Sequence, residues 1–303
     1  MISTYYVCSD IHDDLPALEI FADFVRAQGA AGMFVLGDLA LRPYTKKSLD
    51  DFLLTKDALT FIAEKRAHTY SIFKEMKSLL EQTGVPFLIV PGNYDSKTEF
   101  ETVFKRQNVH EQEFRLKDAV VLGYGGSNAY APHLGILYQL HELVDFNENK
   151  LCSLLEESQP EIILVHTPPL DMCDNQYDGR HVGSLELYNY LVDPNLKKSP
   201  KLVLCGHVHE AGPSGRNPKG IKGIIGYQHP CTGQFTLVVN PGNLGQFEIV
   251  DPDTLRPLWQ TPHRTFARVD LEENGTLKKL VQYFLSAPRQ GISNVKKLDE
   301  FSF

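Results

Sequence analysis

Cysteine is scarce and poorly placed for stapling: Cys8, Cys152, Cys173, Cys205 and Cys231 are odd in number, scattered, and never spaced as C-x-x-C. Cys8 and Cys205 sit inside apolar runs as buried thiols, and a reducing, cytoplasmic setting fits this usage best. Positive charge is also short. Thirty Lys and Arg against 38 Asp and Glu leave a formal net charge of −8, so nothing electrostatic favours non-specific binding to nucleic acid or to an anionic membrane. An anionic ligand therefore needs local help from a metal or a helix N-terminus. No run approaches the roughly 18 apolar residues of a membrane span. Met1–Cys8 meets Asp10 with no basic leader and no small-residue cleavage site, and reads as a first strand rather than a signal peptide. Internal repeats, heptads and low-complexity segments are missing too. With 22% charged and 42% hydrophobic residues, the composition is that of a globular protein, which excludes a fibrous or wholly disordered chain.

What is present is a series of short apolar runs, each too brief for a helix: Tyr5–Cys8, Met33–Leu36, Phe87–Val90, Ile162–Val165 and Leu202–Cys205. Helical spacing lies between them, as in Leu15, Leu18, Phe21, Ala22 and Val25. Residues 147–157 and 184–191 read as helices, and a Lys- and Glu-rich helical insertion spans about 42–83. Alternating strands and helices predict a layered α/β protein. After Gly206 the pattern turns to strands alone: 221–226, 235–239, 245–250, 266–271 and 277–284. These predict a second, antiparallel-leaning sheet packed face to face with the first, within a single domain at 1–287. Residues 288–303 are read as a polar, poorly ordered tail.

Chemistry stands at the ends of the five runs. They close on Asp10-Ile11-His12, Gly37-Asp38, Gly92-Asn93-Tyr94-Asp95, His166-Thr167-Pro168-Pro169 and Gly206-His207-Val208-His209. In open α/β sheets the carboxyl ends of the strands face one crevice, where ligands bind. Two carboxylates, one amide and four imidazoles thus converge from five strands, and glycines directly ahead of them suit close backbone approach. Each fragment alone is weak, and a lone His166 is ordinarily a hydrogen-bonded structural residue. Their joint occurrence in order makes coincidence a poor explanation.

The series D-x-H, G-D, G-N-x-D, H, G-H-x-H resembles the calcineurin-like metallophosphoesterase superfamily over Asp10–His209. G-R-H-V-G-S at 179–184, G-H-V-H-E at 206–210 and V-N-P-G at 239–242 are most similar to the Icc-related predicted phosphoesterases. The resemblance implies a four-layer αββα sandwich of two mixed β-sheets flanked by helices. It also implies two divalent metals. Asp10, His12 and His209 would hold one, Asn93, His166 and His207 the other, and Asp38 would bridge them. Mixed nitrogen and oxygen donors suit Mn, Fe, Zn or Co, with Mn favoured, over the oxygen-loving Mg and Ca. Two dications about 3.5–4 Å apart need a bridging carboxylate and a shared water, which as hydroxide would attack phosphorus.

One position departs from the family. Its third motif usually reads G-N-H-[DE], with a histidine that contacts phosphate and assists the leaving group; here the residue is Tyr94. A phenol with an ordinary pKa of about 10 donates a hydrogen bond but brings no positive charge. This favours a phosphodiester substrate over a monoester, with His181 and then His133 as candidates for the missing role. Asn128 and Arg180 are weaker candidates for the crevice, each more simply a turn residue and a solvated cation. Asp95 is read as ordering its own turn. The insertion is read as a solvated helical face that could also cap the crevice or join two copies in a homo-oligomer. The leading expectation is a metal-dependent phosphodiesterase acting on a small phosphate ester. The alternatives are a phosphomonoesterase and a non-catalytic scaffold on the same fold; a mononuclear hydrolase built on His207 and His209 is disfavoured because its H-x-H would come early in the chain.

Overall fold

The computed structural model describes residues 1–129, 134–213, 223–250, 257–260, 263–285 and 295–303. The chain begins with β1 (Ile2–Cys8), α1 (Leu15–Gln28) and β2 (Gly32–Val35), followed by the helical insertion α2 (Lys46–Thr55) and α3 (Ala58–Glu81). Next come β3 (Phe87–Ile89), α4 (Lys97–Val103), the hairpin β4 (Gln112–Leu116) and β5 (Ala119–Tyr124), α5 (Gly135–Gln139), α6 (Glu148–Ser158), β6 (Ile162–Val165), α7 (Leu185–Val192) and β7 (Leu202–Leu204). The remainder is β8 (Ile224–Gln228), β9 (Phe235–Val239), β10 (Glu248–Val250), β11 (Pro257–Gln260), β12 (Arg264–Glu272), β13 (Leu277–Leu285) and β14 (Val295–Ser302).

Two six-stranded mixed sheets result, ordered β14-β13-β12-β1-β2-β3 and β4-β5-β6-β7-β9-β8. Strand alternation builds the layers. Tyr5 and Val7 of β1 point into a core shared with Ile162 and Leu164 of β6, which is the contact between the sheets. Tyr6 and Cys8 face the other way, onto Leu18 and Phe21 of α1 and Phe73 and Met76 of α3. Ile163 and Val165 face Leu151 and Leu155 of α6 and Leu187 and Leu191 of α7. The order is helix, sheet, sheet, helix: the expected αββα sandwich.

Its topology differs from the expected one in two respects. The five apolar runs do not share a sheet. β1, β2 and β3 are parallel neighbours in one, while β6 and β7 lie in the other beside β5. The C-terminal strands are likewise divided: β9 runs parallel to β7, and β12 pairs antiparallel with β1. Apolar alternation reports which face of a strand is buried, not which strand it pairs with. The expected tail is corrected as well. Val295–Ser302 is an edge strand, antiparallel to β13 throughout its length. Its charged residues suit an edge strand, whose outer face meets water.

In the insertion, α3 buries Phe61, Lys65, Thr69, Phe73, Met76 and Leu80 on one stripe. The fully buried Lys65 Nζ meets Glu142 at 2.8 Å and Glu99 of α4 at 3.1 Å, and Arg66 adds a second bond to Glu142 at 2.9 Å. A buried ammonium demands such partners, so α3 is held against the helix that follows the Asn93 loop.

Candidate metal centre

Asp10, His12, Asp38 and Asn93 leave the carboxyl ends of the first sheet's strands; His166, His207 and His209 leave those of the second. Backbone bonds knit the first two loops together, from Asp10 N to the Gly37 carbonyl and from Ile11 N and His12 N to the Asp38 carbonyl. Asp95 ties the third loop to the second, its carboxylate accepting from Gly92 N at 2.7 Å and Leu39 N at 3.0 Å. It therefore clamps two loops, a wider role than ordering its own turn. Asp10, His12, Asp38 and His207 all adopt left-handed φ values of 50–66°. Aspartate and histidine tolerate that region better than most residues, and such backbones gather at functional sites. Gly92 and Gly206 serve close approach: a Cβ at 92 would lie 2.0 Å from Asp38 Oδ1, and one at 206 would lie 1.9 Å from Ser9 Oγ.

Two triads result, Asp10–His12–His209 and Asp38–His166–His207, each with donor atoms within 4.8 Å of one another. In the first, His209 Nε2 is 3.1 Å from Asp10 Oδ1 and 2.9 Å from His12 Nε2. In the second, His166 Nε2 is 3.3 Å from Asp38 Oδ2 and 3.1 Å from Asn93 Oδ1. Asp10 Oδ2 also accepts from His207 N at 3.1 Å, which ties the triads together.

Burial, reinforced by neighbouring imidazoles, drives His12 down to about 4 and His207 down to about 3, so both rings keep free lone pairs. For His166, burial opposes charge but the Asp38 carboxylate outweighs it and lifts the group to about 9. Burial likewise works against the ionised Asp10 and Asp38, yet the adjoining imidazoles hold both carboxyls below the usual carboxylate range.

This donor set fits divalent cations. His166 Nδ1 donates to the Leu36 carbonyl at 2.6 Å, which directs Nε2 at Asp38 and Asn93 in the manner of a ligand imidazole oriented by its other nitrogen. His12 Nδ1 is buried without a hydrogen-bond partner among the described residues, while its Nε2 shares the cluster with His209 and Asp10. A proton between two imidazoles serves only one of them at a time; a cation serves every donor.

The family description "calcineurin-like phosphoesterase" matches residues 3–211, more than half of the chain. The chain belongs to the calcineurin-like phosphoesterase family. It is accordingly a hydrolase of phosphoric esters, in a family that uses a dinuclear metal centre on small phosphate-ester substrates. A comparison with curated protein sequences finds no match. Among solved structures, a dimetal phosphatase from Danio rerio is similar at TM-score 0.51 and 11% identity, over 93% of this chain and 95% of its own. GAP50, the anchor in the inner membrane complex of Plasmodium, is similar at TM-score 0.51 and 13% identity, over 98% of this chain and 89% of its own. A third solved structure reaches TM-score 0.61 at 16% identity, over 92% and 98%. At such identities these likenesses concern the fold.

Other expected residues of the phosphoesterase lie as follows. Tyr94 N donates to Asp38 Oδ1 at 2.9 Å, while its ring is buried with Tyr44, Phe61, Leu134 and Leu137, edge-on to His12. Burial, with Asp38 next, pushes the phenol far above its ordinary value, so it keeps its proton. His181 is held in its own loop, with Nδ1 2.9 Å from Asp174 and 3.0 Å from Asp171, and Nε2 2.9 Å from the Asn175 amide nitrogen. Asn128 donates to Glu148 and to the Gly183 carbonyl, bracing that loop, and the exposed Arg180 pairs with Asp178. His133 falls outside the described residues. Three residues escaped the sequence reading. Ser127 Oγ lies 3.0 Å from His207 Nε2. Asn240 Nδ2 donates to the Gly206 and Val208 carbonyls, so the Asn of V-N-P-G braces the histidine loop. The Phe247 ring packs 4.1 Å from His209 and 4.9 Å from His12, centroid to centroid, with no local pattern to mark it.

Proposed function

We propose that this protein is a phosphodiesterase with a dinuclear centre held by Asp10, His12 and His209 on one side and Asn93, His166 and His207 on the other, with Asp38 shared. The observation that carries this reading is the pair of triads, buried except for the half-buried His207, linked through Asp10 and the His207 amide. When bound, the cations supply charge neutralisation for phosphoryl oxygens and a hydroxide at neutral pH. The chain's own residues set the stage for that chemistry. Phe247 and Tyr94 pack against the imidazoles and keep water from their far side. The Leu36 carbonyl fixes the His166 ring, and Asn240 fixes the loop that presents His207 and His209.

The diester preference rests on Tyr94. With a buried, protonated phenol where the family usually has histidine, a leaving oxygen of high basicity lacks a cationic partner, and the negative charge of a diester is one unit less. His181 is our candidate for protonating the leaving oxygen. Asp174 and Asp171 orient its ring, and Asn175 must release Nε2 for that role. The mixed donors support Mn ahead of Mg or Ca. Five free cysteines support a cytoplasmic location, and no described helix is long and apolar enough to cross a membrane. Leu53, Leu54 and Leu59, exposed at the α2–α3 turn, support a homo-oligomer.

The fold likeness to an anchor protein favours a second reading, a non-catalytic scaffold. The retention of all seven donor residues weighs against it. The test is hydrolysis of bis-p-nitrophenyl phosphate and p-nitrophenyl phosphate after chelation and after Mn²⁺ readdition. We expect Mn-dependent turnover of the diester, faster than the monoester, and its loss in Asp38→Ala. A faster monoester rate overturns the substrate class. Silence with two bound ions per chain promotes the scaffold.

A further inference from the structure

A cavity of about 370 Å³ opens between the sheets at the pole opposite the metal centre. β6, β7 and β9 begin at that pole, and β13, which runs parallel to β1 through the intervening β12, begins there too. The metal-site loops leave the other ends of β6 and β7, and the corresponding ends of β1, β2 and β3. The volume lies in the range of small-ligand sites.

Its lining combines two chemistries. Leu237 of β9 and Leu277 of β13 supply a buried apolar floor, one from each sheet. Phe235 and Phe303 stand beside it with 52% and 50% of their surface exposed, an unusual cost for two rings in one place. Three ammonium groups also line it, in a protein of net charge −8. Two are neutralised: Lys198 pairs with Glu161, and Lys278 pairs with Glu272 at 3.2 Å. Lys201 differs. Its Nζ donates to the Asn274 carbonyl at 2.8 Å, and no carboxylate lies within ion-pair distance of it among the described residues. Two of its three donors remain for a ligand. Partial burial pushes its pKa down, the mark of an ammonium short of solvation.

We propose that this cavity is a second binding site, for an aromatic molecule carrying one anionic group, its ring against Phe235 and Phe303 over the leucine floor and its anion on Lys201. The aromatic faces and apolar floor account for the ring; the one lining ammonium without a direct ion pair, with Glu161 and Glu272 acting on it only from a distance, accounts for the one charge. A ligand seated there touches both sheets and so stabilises their packing.

The test titrates the intact protein with 1-anilinonaphthalene-8-sulfonate, followed by fluorescence, with the uncharged N-phenyl-1-naphthylamine as comparison. We expect saturable binding of one sulfonate per chain, and about tenfold weaker binding of the uncharged dye, the scale of one charge-assisted hydrogen bond. Lys201→Gln should weaken the sulfonate about tenfold and leave the uncharged dye unchanged. Phe235→Ala and Phe303→Ala, both at exposed positions, should weaken both dyes and keep the proposal testable if the Lys201 variant fails to fold. Equal affinity for the two dyes, sulfonate binding insensitive to all three substitutions, or no saturable binding overturns the proposal. So does sedimentation showing a dimer that Phe235→Ala dissociates, since a second copy then covers the face.

Discussion

Alanine at position 92 tests how tightly the second and third loops are fitted together. A Cβ there would stand 2.0 Å from Asp38 Oδ1 and 2.2 Å from Asp38 N. The φ angle of Gly92 is not in the left-handed region, so strain is not the issue; space is. Cβ atoms essentially never approach another heavy atom within 3.0 Å, so the carboxylate and the backbone behind it must retreat by about 1 Å. Rotating the Asp38 side chain does not help, because its own backbone nitrogen is also in the way. Displacement of a site by about 1 Å costs on the order of 10²-fold in rate. Overpacking of this kind costs about 1–3 kcal/mol of stability, or about 2–5 °C in a domain of this size. Metal content per chain, diester hydrolysis with Mn²⁺ and thermal unfolding read the three effects separately. Gly135→Ala is the control: its Cβ meets nothing within 4 Å among the described residues at the start of α5, and we expect stability within about 0.5 kcal/mol of the parent. A Gly92→Ala protein that binds both ions and hydrolyses the diester within about twofold of the parent refutes the reasoning.

Three further outcomes follow from the same geometry. Tyr94→Phe should slow diester hydrolysis far less than His207→Ala, because the Tyr94 contact to Asp38 runs through its backbone nitrogen; equal losses would assign the phenol a chemical role. Chelation should lower the unfolding temperature by about 4 °C for each ion present at about 100 times its Kd, a contribution of about 2.7 kcal/mol per ion, with Mn²⁺ restoring it; an unchanged transition would mean the triads hold no ion. His110 is pushed down to about 4 by burial, with Glu111 at 3.7 Å acting the other way, and its Nδ1 accepts from Gly125 N at 2.9 Å. Between about pH 6.5 and 4 the unfolded chain binds a proton that the folded chain refuses, so stability falls as the pH drops through that window, by about 2 kcal/mol at pH 4.5 from this group. His110→Gln should flatten the pH dependence of the denaturation midpoint there, and an unaltered slope would assign it to other groups.

The candidate donors were legible because each stands in the loop that leaves a short apolar run, and that position is set by local pattern. Two stacked sheets with helices between their strands were legible from the continuously apolar runs Tyr5–Cys8 and Ile162–Val165, whose strands bury both faces, while the four-layer order came from the family resemblance. In the hairpin β4–β5 only the second strand carries an apolar run, Ala119–Leu122, and Gln112–Leu116 is polar and mostly exposed, so the pairing had no local signal on its first strand. The charge of Val295–Ser302 hides its strand, since an edge strand needs only one good neighbour, here β13.

From the chain alone came the seven candidate donors, their places at strand ends and the substitution of tyrosine for the usual histidine, all of them properties of a few adjacent residues. Tertiary structure alone decided that three of the donor-bearing strands belong to one sheet and two to the other, that Tyr94 turns into the cluster formed with the insertion, and that Asn240 and Phe247 serve the site from far along the sequence. The division has a physical origin. A strand's burial pattern depends on its own side chains, whereas its neighbour is chosen by which distant segment completes the shared core, so the cage of imidazoles and carboxylates exists only once the two sheets stack.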